Sequence, residues 1–274
     1  MSLQDYAERN REAWNQAVPL HQQGRRGDLR AEVRLPSFNV LGEVEKRILS
    51  RITVRGKKIA HLCCNNGIEL ISMLKMGAVH GVGFDIADAV IQEARELSEL
   101  AGTDCEFVRT NVLDISEAYW GDFDLVFISI GALTWIRDLK PFFRVAANLL
   151  QADGHLVIYE MHPFTDMMGM EGEEGFDPDD KLKIVSSYFR TEPWVESGGL
   201  DYIGGTAYEG AVAYSFPHTL SDTFTAIIES GLVIVEFQEY AHDISATFAY
   251  LEKYGKIPLC YSLVAQKASF AFGY

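Results

Sequence analysis

The sequence predicts an α/β protein built on a doubly wound sheet of seven strands. Three observations carry that expectation. From Lys57 to Glu160, short apolar runs alternate with segments of helical periodicity, the pattern of successive parallel strands joined by right-handed crossover helices. The run FDLVFISI at 123–130 is almost continuously apolar, as a parallel strand covered on both faces must be. The last two runs, 231–240 and 259–267, have no full helical pattern between them, so they are expected to pair antiparallel. The sheet is therefore expected to be mostly parallel with an antiparallel last strand. N-terminal helices precede it, and a β-rich insertion follows strand five.

The elements follow in order. Residues 1 to about 30 hold a helix-like polar segment at 6–24, broken by Gly24 and Gly27, with Trp14 and His21 as candidates to dock over the domain. An aromatic such as Trp14 can also face a bound cation. A helical pattern with Leu41, Val44, Ile48 and Leu49 spans 36–52. Strand one is expected at 59–64, then a turn Asn65-Asn66-Gly67, then a helix at 68–76 with Ile68, Ile71, Leu74 and Lys75 near one face. Strand two ends on Asp85, and a helix closed by Gly102 follows it. Strand three (105–108) leads to Asn111 and Val112, strand four to GALTWIRDL, and strand five (155–160) follows a helix stopped at Asp153-Gly154. Regularity then ends for about 55 residues, a length that in a compact domain is usually functional. This stretch is dense in aromatics and is expected to form a lid or substrate wall of short strands. A helix at 219–229 and the closing strand pair complete the chain.

The stretch from Lys58 to Asp85 carries the chemistry. Strand, Gly/Asn turn, helix and strand bring backbone N–H groups and a helix N-terminus to one place, suited to an anionic or hydroxyl-rich ligand. Asp85 lies roughly 18 residues past Gly67, near the spacing of a carboxylate that accepts from ribose hydroxyls. Gly67, and Asn after it, tolerate the left-handed backbone such a turn requires.

The totals narrow the ligand. The 274 residues carry a net charge of −15, which disfavours nucleic acid and anionic membranes as partners and points to a small molecule. No apolar run reaches the ~20 residues a bilayer span needs. The N-terminus is polar rather than signal-like, so a cytoplasmic protein is expected. The four cysteines, Cys63, Cys64, Cys105 and Cys260, have no metal-ligand or redox spacing and read as reduced, buried thiols. No metal is expected.

Five βα units, a helix and an antiparallel closing pair resemble the class I S-adenosylmethionine-dependent methyltransferases, with their Rossmann-like sheet, over about 57–267. IAHLCCNNG sits where that family carries an acidic-x-Gly-x-Gly-x-Gly loop, with Gly67 at the last glycine. VGFDIA places Asp85 at the ribose carboxylate, and VRTNVLDI places Asn111 and Val112 at adenine. FDLVFISIGALTWI is similar to the segment that flanks adenine and methionine. The LCCNNG loop, EPW at 192–194 and PHTLSD at 217–222 resemble a bacterial subgroup without assigned substrates. His61 stands where the family has an acid, Cys63 at the first glycine and Asn65 at the second.

The resemblance implies S-adenosyl-L-methionine as cofactor, held by Cys63, Cys64, Asn65, Gly67, Asp85, Ile86, Asn111, Val112, Ser129, Ile130 and Trp14. It implies methyl transfer to a small molecule by in-line displacement, in which positioning carries much of the barrier. His162, just past strand five, and His218, before a helix, are the candidate catalytic residues. The chain divides into a helical cap (1–52), a cofactor core (53–160), a lid insertion (161–218) and a C-terminal helix and strand pair (219–274), in a monomer or homodimer. The alternatives are a non-catalytic nucleotide-binding protein of the same fold and, less well matched, an NAD(P)-dependent oxidoreductase, whose G-x-G-x-x-G is absent.

Overall fold

The computed structural model describes residues 1–172 and 175–268. In chain order its first half comprises α1 (Leu3–Gly24), α2 (Leu29–Glu32), α3 (Glu43–Arg51), β1 (Lys58–Leu62), α4 (Ile68–Lys75), β2 (His80–Asp85), α5 (Asp88–Ala101), β3 (Cys105–Arg109), β4 (Phe123–Ile128), α6 (Leu139–Leu149) and β5 (Leu150–Met161). The insertion carries β6 (Trp194–Glu196) and β7 (Ala213–Ser215). The chain returns through α7 (Leu220–Glu229), β8 (Leu232–Tyr240), α8 (Ala249–Glu252) and β9 (Cys260–Lys267).

Seven strands form one sheet in the order β3-β2-β1-β4-β5-β9-β8. The first five pair in parallel, and β9 runs antiparallel to both β5 and β8. The sheet is the one expected, with β9 as its antiparallel strand. Alternation along each strand sends side chains to two covered faces. Ala60, Leu62, Val126, Ile128 and Leu263 pack with Phe142, Phe143 and Ile227 of α6 and α7. Ile59, Leu125, Phe127 and Val157 pack with Ile48, Leu70 and Ile91 of α3, α4 and α5.

Several boundaries differ from the sequence reading. Helix α3 begins at Glu43 rather than at residue 36. Gly42, extended at φ −75°, caps it, and its N–H donates to Glu45 Oε2 at 2.6 Å. Leu41 is buried all the same, from irregular chain ahead of the helix. Helix α4 buries Leu70, Ile71 and Met73 rather than a stripe through Ile68, Leu74 and Lys75. It is wedged between the sheet, which takes Leu70 and Met73, and a side cluster of Val33, Phe38 and Leu97, which takes Ile71. Among its described residues the insertion holds an antiparallel ribbon of two three-residue strands, a 3-10 turn at Thr165–Met167 and an isolated antiparallel bridge between Met168 and Ile184. Its aromatics pack as loop side chains more than as strand faces.

Helix α1 docks across the molecule through side-chain amides. Asn10 makes reciprocal bonds to the backbone of Tyr214 (2.8 and 2.7 Å), and Gln16 accepts from Ala211 N–H at 2.8 Å. Helix α5 has no side-chain cap of its own, since Ala87 precedes it. Asn15 of α1 supplies one in trans, accepting from Ala89 N–H at 3.0 Å and donating to Asp88 Oδ2 at 3.0 Å. Helix α1 is thus tied both to the insertion and to the start of α5.

Leu263 is fully buried at the centre of β9, between β5 and β8. Leu263→Ala is expected to lower unfolding free energy by about 2–5 kcal/mol. Val233→Thr, on edge strand β8 and 43% exposed, should stay within about 0.5 kcal/mol. Urea unfolding of both variants checks the assignment.

Candidate functional site

The carboxyl ends of β1, β2, β4 and β5 share one edge of the sheet, where open α/β sheets present ligand sites. The loop after β1 is built from alternating left-handed residues: Cys63 at φ 53°, Asn65 at φ 48° and Gly67 at φ 74°. These are the three positions at which the resembling loop carries glycine. Two are filled by side chains that cost about 1–2 kcal/mol in that conformation. Bonds on both sides hold them. Cys64 N–H donates to Phe84 O at 3.1 Å, Gly67 N–H to Cys64 O at 2.9 Å, and Asn65 N–H to Asp85 Oδ2 at 3.0 Å. Gly67 admits nothing larger, because a Cβ there would lie 2.3 Å from the Phe107 ring.

Asp85 closes β2. Its second oxygen accepts from Ala87 N–H at 3.0 Å. Burial pushes its carboxyl above the usual range, against the lowering effect of the Ala87, Asn65 and Ile86 amides. Ile86 is half-buried beside it. Asn111 caps the turn after β3, its Oδ1 accepting from Leu113 N–H at 3.0 Å, and Val112 is buried against the core. Both thiols of the loop are held in the neutral form, Cys63 and Cys64 being pushed up by burial first and by Asp85 second.

The loop after β4 is fixed from the neighbouring strand. Glu160 of β5, 5% exposed, accepts from Gly131 N–H (2.6 Å), Leu133 N–H (3.2 Å) and Met161 N–H (2.8 Å). Burial pushes its carboxyl up to about 7. Ser129, at the start of that loop, bonds through Oγ to His61 Nε2 at 3.1 Å. His61 is fully buried and held neutral, its pKa brought down to about 3 by desolvation. Its Nδ1 has no partner, an orphan among otherwise satisfied polar atoms.

A cavity of about 450 Å³ opens at this edge, lined by Glu45, Glu69, Ser129, Ile130, Tyr159 and His242, among others. Tyr159 and Glu160 alternate across β5 as expected. Tyr159 faces the cavity, and Glu160 grips the loop after β4. Tyr159 Oη is 2.8 Å from His242 Nε2. Burial pushes the phenol well above its ordinary range, so it stays un-ionised in that bond. Glu45 comes from α3 and Glu69 from the first turn of α4. Burial raises both, Glu45 to about 7 with Glu69 adding to the rise.

The sequence singled out Ser129 and Ile130, and both line this cavity. Cys63, Asn65 and Gly67 share one loop, with Asp85 bonded to it. Trp14 stands edge-on to Trp135 (5.5 Å), His21 (5.9 Å) and Tyr202 (6.2 Å), so its neighbours are aromatic rings of the loop after β4, of α1 and of the insertion. The two candidate catalytic histidines do not line the cavity. His162 Nδ1 accepts from Phe164 N–H at 3.1 Å, and its Nε2–H donates to Glu239 Oε1 at 3.0 Å. Both nitrogens are engaged, and burial holds the ring below its ordinary pKa despite Glu239. His218 Nε2 donates to Ile136 O at 2.7 Å, which anchors the start of α7 to the loop after β4. Sequence reasoning missed Glu45, Glu69 and His242. Glu45 lies three residues past Gly42 as a capping partner, and that spacing was the one visible signal.

The residues fit a nucleoside-bearing cofactor on one count. The amides of Cys64, Asn65, Asn66 and Gly67 all donate within the chain and hold the loop, while the carboxylate of Asp85 stands at the adjoining strand end with lone pairs to spare.

Residues 59–154 match the family described as Methyltransferase domain. The chain is 32% identical over 104 residues to a ubiquinone biosynthesis O-methyltransferase of Neisseria meningitidis, and the match covers 37% of this chain and 42% of that protein. It thus spans about two-fifths of that relative's length. Among solved structures, a candidate S-adenosylmethionine dependent methyltransferase of Listeria monocytogenes superposes with a TM-score of 0.62 at 17% identity, over 82% of this chain and 98% of that one. An S-adenosylmethionine dependent methyltransferase of Mesorhizobium loti superposes with a TM-score of 0.60 at 22% identity, with the same two coverages. No helix among the described residues is long and apolar enough to cross a membrane.

Glu45 gives a pH prediction. Its folded carboxyl titrates near 7, above its reference value of 4.5. The folded state therefore binds the extra proton, and stability falls as pH rises between those values. Glu45→Gln keeps the cap acceptor and removes the charge. Relative to the unaltered protein, the variant is expected to gain about 1–3 kcal/mol between pH 4.5 and 8. A constant difference across urea melts in that range would refute the assignment.

Proposed function

We propose, from its place among the class I S-adenosylmethionine-dependent methyltransferases, that this chain transfers a methyl group from S-adenosylmethionine to a small-molecule acceptor in the cytoplasm. The observation that carries the reading is the loop Cys63–Gly67. It keeps left-handed backbone at all three glycine positions of the motif although only one is glycine, and it is laced to Asp85. A turn that retains a strained shape after losing the residues that make the shape easy is held for a purpose.

Asp85 would accept from the ribose hydroxyls with the lone pairs that Asn65 and Ala87 leave free. Ile86, Asn111 and Val112 would flank the adenine, and the 63–67 loop with Ser129 and Ile130 would border the methionine part. The bound cofactor supplies an electrophilic sulfonium methyl. The residues of this chain then have three tasks: to hold the acceptor in line, to exclude water and to take a proton where the acceptor carries one. Helix α1 and the insertion close over the edge through Asn10, Gln16 and His21, the last bonded to Leu200 O at 2.7 Å. At the cavity the groups able to take a proton are Glu45, Glu69 and His242. The net charge of −15 supports a small acceptor over a nucleic acid.

Calorimetric titration with S-adenosylmethionine, S-adenosylhomocysteine and NAD⁺ tests the reading. Micromolar binding of the first two and none of the third is expected. Asp85→Asn should weaken both by at least tenfold while the far-UV spectrum stays unchanged. Absence of S-adenosylmethionine binding sinks the proposal. Binding without turnover across acceptors of every class favours the non-catalytic alternative.

A further inference from the structure

We propose that the cavity between α3 and the ends of β4 and β5 is an amine site. In it Glu45 and Glu69 hold the ammonium head of a small, partly apolar amine. Its role as methyl acceptor rests on the reading above; the amine site itself rests on the cavity.

The cavity lining contains three carboxylates and neither lysine nor arginine. Glu43 is exposed at the mouth and faces Lys46 at 3.5 Å. The inner two differ from it. Glu45 is 8% exposed and has one hydrogen-bond donor, Gly42 N–H, on Oε2, which leaves Oε1 turned to no partner. Glu69 receives only its own backbone N–H. Each is raised by burial, and Glu69 raises Glu45 further by repulsion. A buried carboxylate and a half-buried one lining the same cavity, the second raising the first, are a costly arrangement without a cation beside them. A cation between them removes the repulsion and restores their lost solvation.

The rest of the wall sets the size and character of that cation. Val40, Val44, Ile130 and Ile244 are apolar, so a metal ion or a highly hydrated polyamine is a poor match. About 450 Å³ suits a body of a few to a dozen heavy atoms with one charged end. Beneath the floor, Ser129 bonds to His61, whose Nδ1 is fully buried and unpartnered. A second polar group of the same edge thus also lacks a partner within the chain. Tyr159, bonded to His242, borders the same space and adds an aromatic ring to the wall.

The site also meets a chemical need of amine methylation. An ammonium nitrogen has no lone pair to attack with. A carboxylate of the pair takes one N–H proton, and the freed lone pair forms the new N–C bond while the S–C bond breaks and its electrons stay on sulfur. The proton leaves by the mouth toward Glu43. Carboxyls raised toward neutrality are better proton carriers than ordinary ones.

The test is calorimetric titration of the full chain with 2-phenylethylamine and its neutral isostere 2-phenylethanol, each with and without saturating S-adenosylhomocysteine. The amine is expected to bind at least tenfold more tightly than the alcohol. Glu69→Gln and Glu45→Gln should each weaken the amine at least tenfold and leave the alcohol and S-adenosylhomocysteine within twofold. Equal binding of amine and alcohol, or binding of neither, overturns the proposal. So does loss of S-adenosylhomocysteine affinity in the two variants with the amine unbound, which assigns the carboxylates to the cofactor's own ammonium. If the amine behaves as expected and S-adenosylhomocysteine does not bind at all, the amine site stands and the methyl-transfer reading falls.

Discussion

The Asn65 amide donates to Asp85 Oδ2 across the ends of β1 and β2, and the rest of the edge depends on that bond. Without it, Cys63 and Asn65 would have little reason to stay left-handed, since each is more stable elsewhere. The loop is also wedged from below. The ring of Phe107, 3% exposed on β3, fills the space that a Cβ on Gly67 or on Gly83 would take, 2.3 and 2.6 Å away respectively. Two glycines therefore serve one aromatic ring, and the ring supports the turn. The loop can spare glycine at positions 63 and 65 because a carboxylate and an aromatic now impose the shape.

The bond extends into a chain of buried polar contacts. Asp85 holds the β1 loop. One turn back, His61 on β1 bonds to Ser129 at the end of β4. The segment after Ser129 is gripped by Glu160 of β5 through Gly131 and Leu133. Four strand ends are thus linked in sequence by side chains, in the order the sheet places them. Networks of this kind are stable only when every member is satisfied. The exception among the described residues is His61 Nδ1, whose ring is joined through Ser129 to the wall of the cavity.

The sheet was legible because its strands are buried on both faces and read as apolar runs, and because the gap between the last two strands holds no crossover helix. The link between the β1 loop and Asp85 was legible because turn and carboxylate lie close to a fixed spacing along the chain. The cavity was not. Glu45 and Glu69 sit on different helices, His242 follows β8, and Tyr159 lies on β5, so no local pattern joins them. His162 looked catalytic because of where its strand ends. Its two ring nitrogens are instead claimed by Phe164 and Glu239, partners 2 and 77 residues away, and the distant one has no signature in sequence. The insertion read as strands because aromatics are frequent in strands. Here they pair ring to ring in loops, as Tyr188 does with Phe164 and Phe189.

The replacement of an acid by His61 changes where negative charge lies. A carboxylate at the end of β1 would sit in the floor, inside the network. Desolvation keeps His61 neutral instead, so the floor carries no charge from that position. Negative charge enters from the walls, by Glu45 of α3 and Glu69 of α4. The surface excess of −15 cannot stand in for either, because exposed charges are screened over roughly 8–10 Å in physiological salt. Only groups within the cavity set its potential. Both carboxyls there are raised by burial, Glu45 to about 7, and a cation beside them favours their charged form. The wall therefore responds to what it binds, which a permanently ionised acid in the floor would not do.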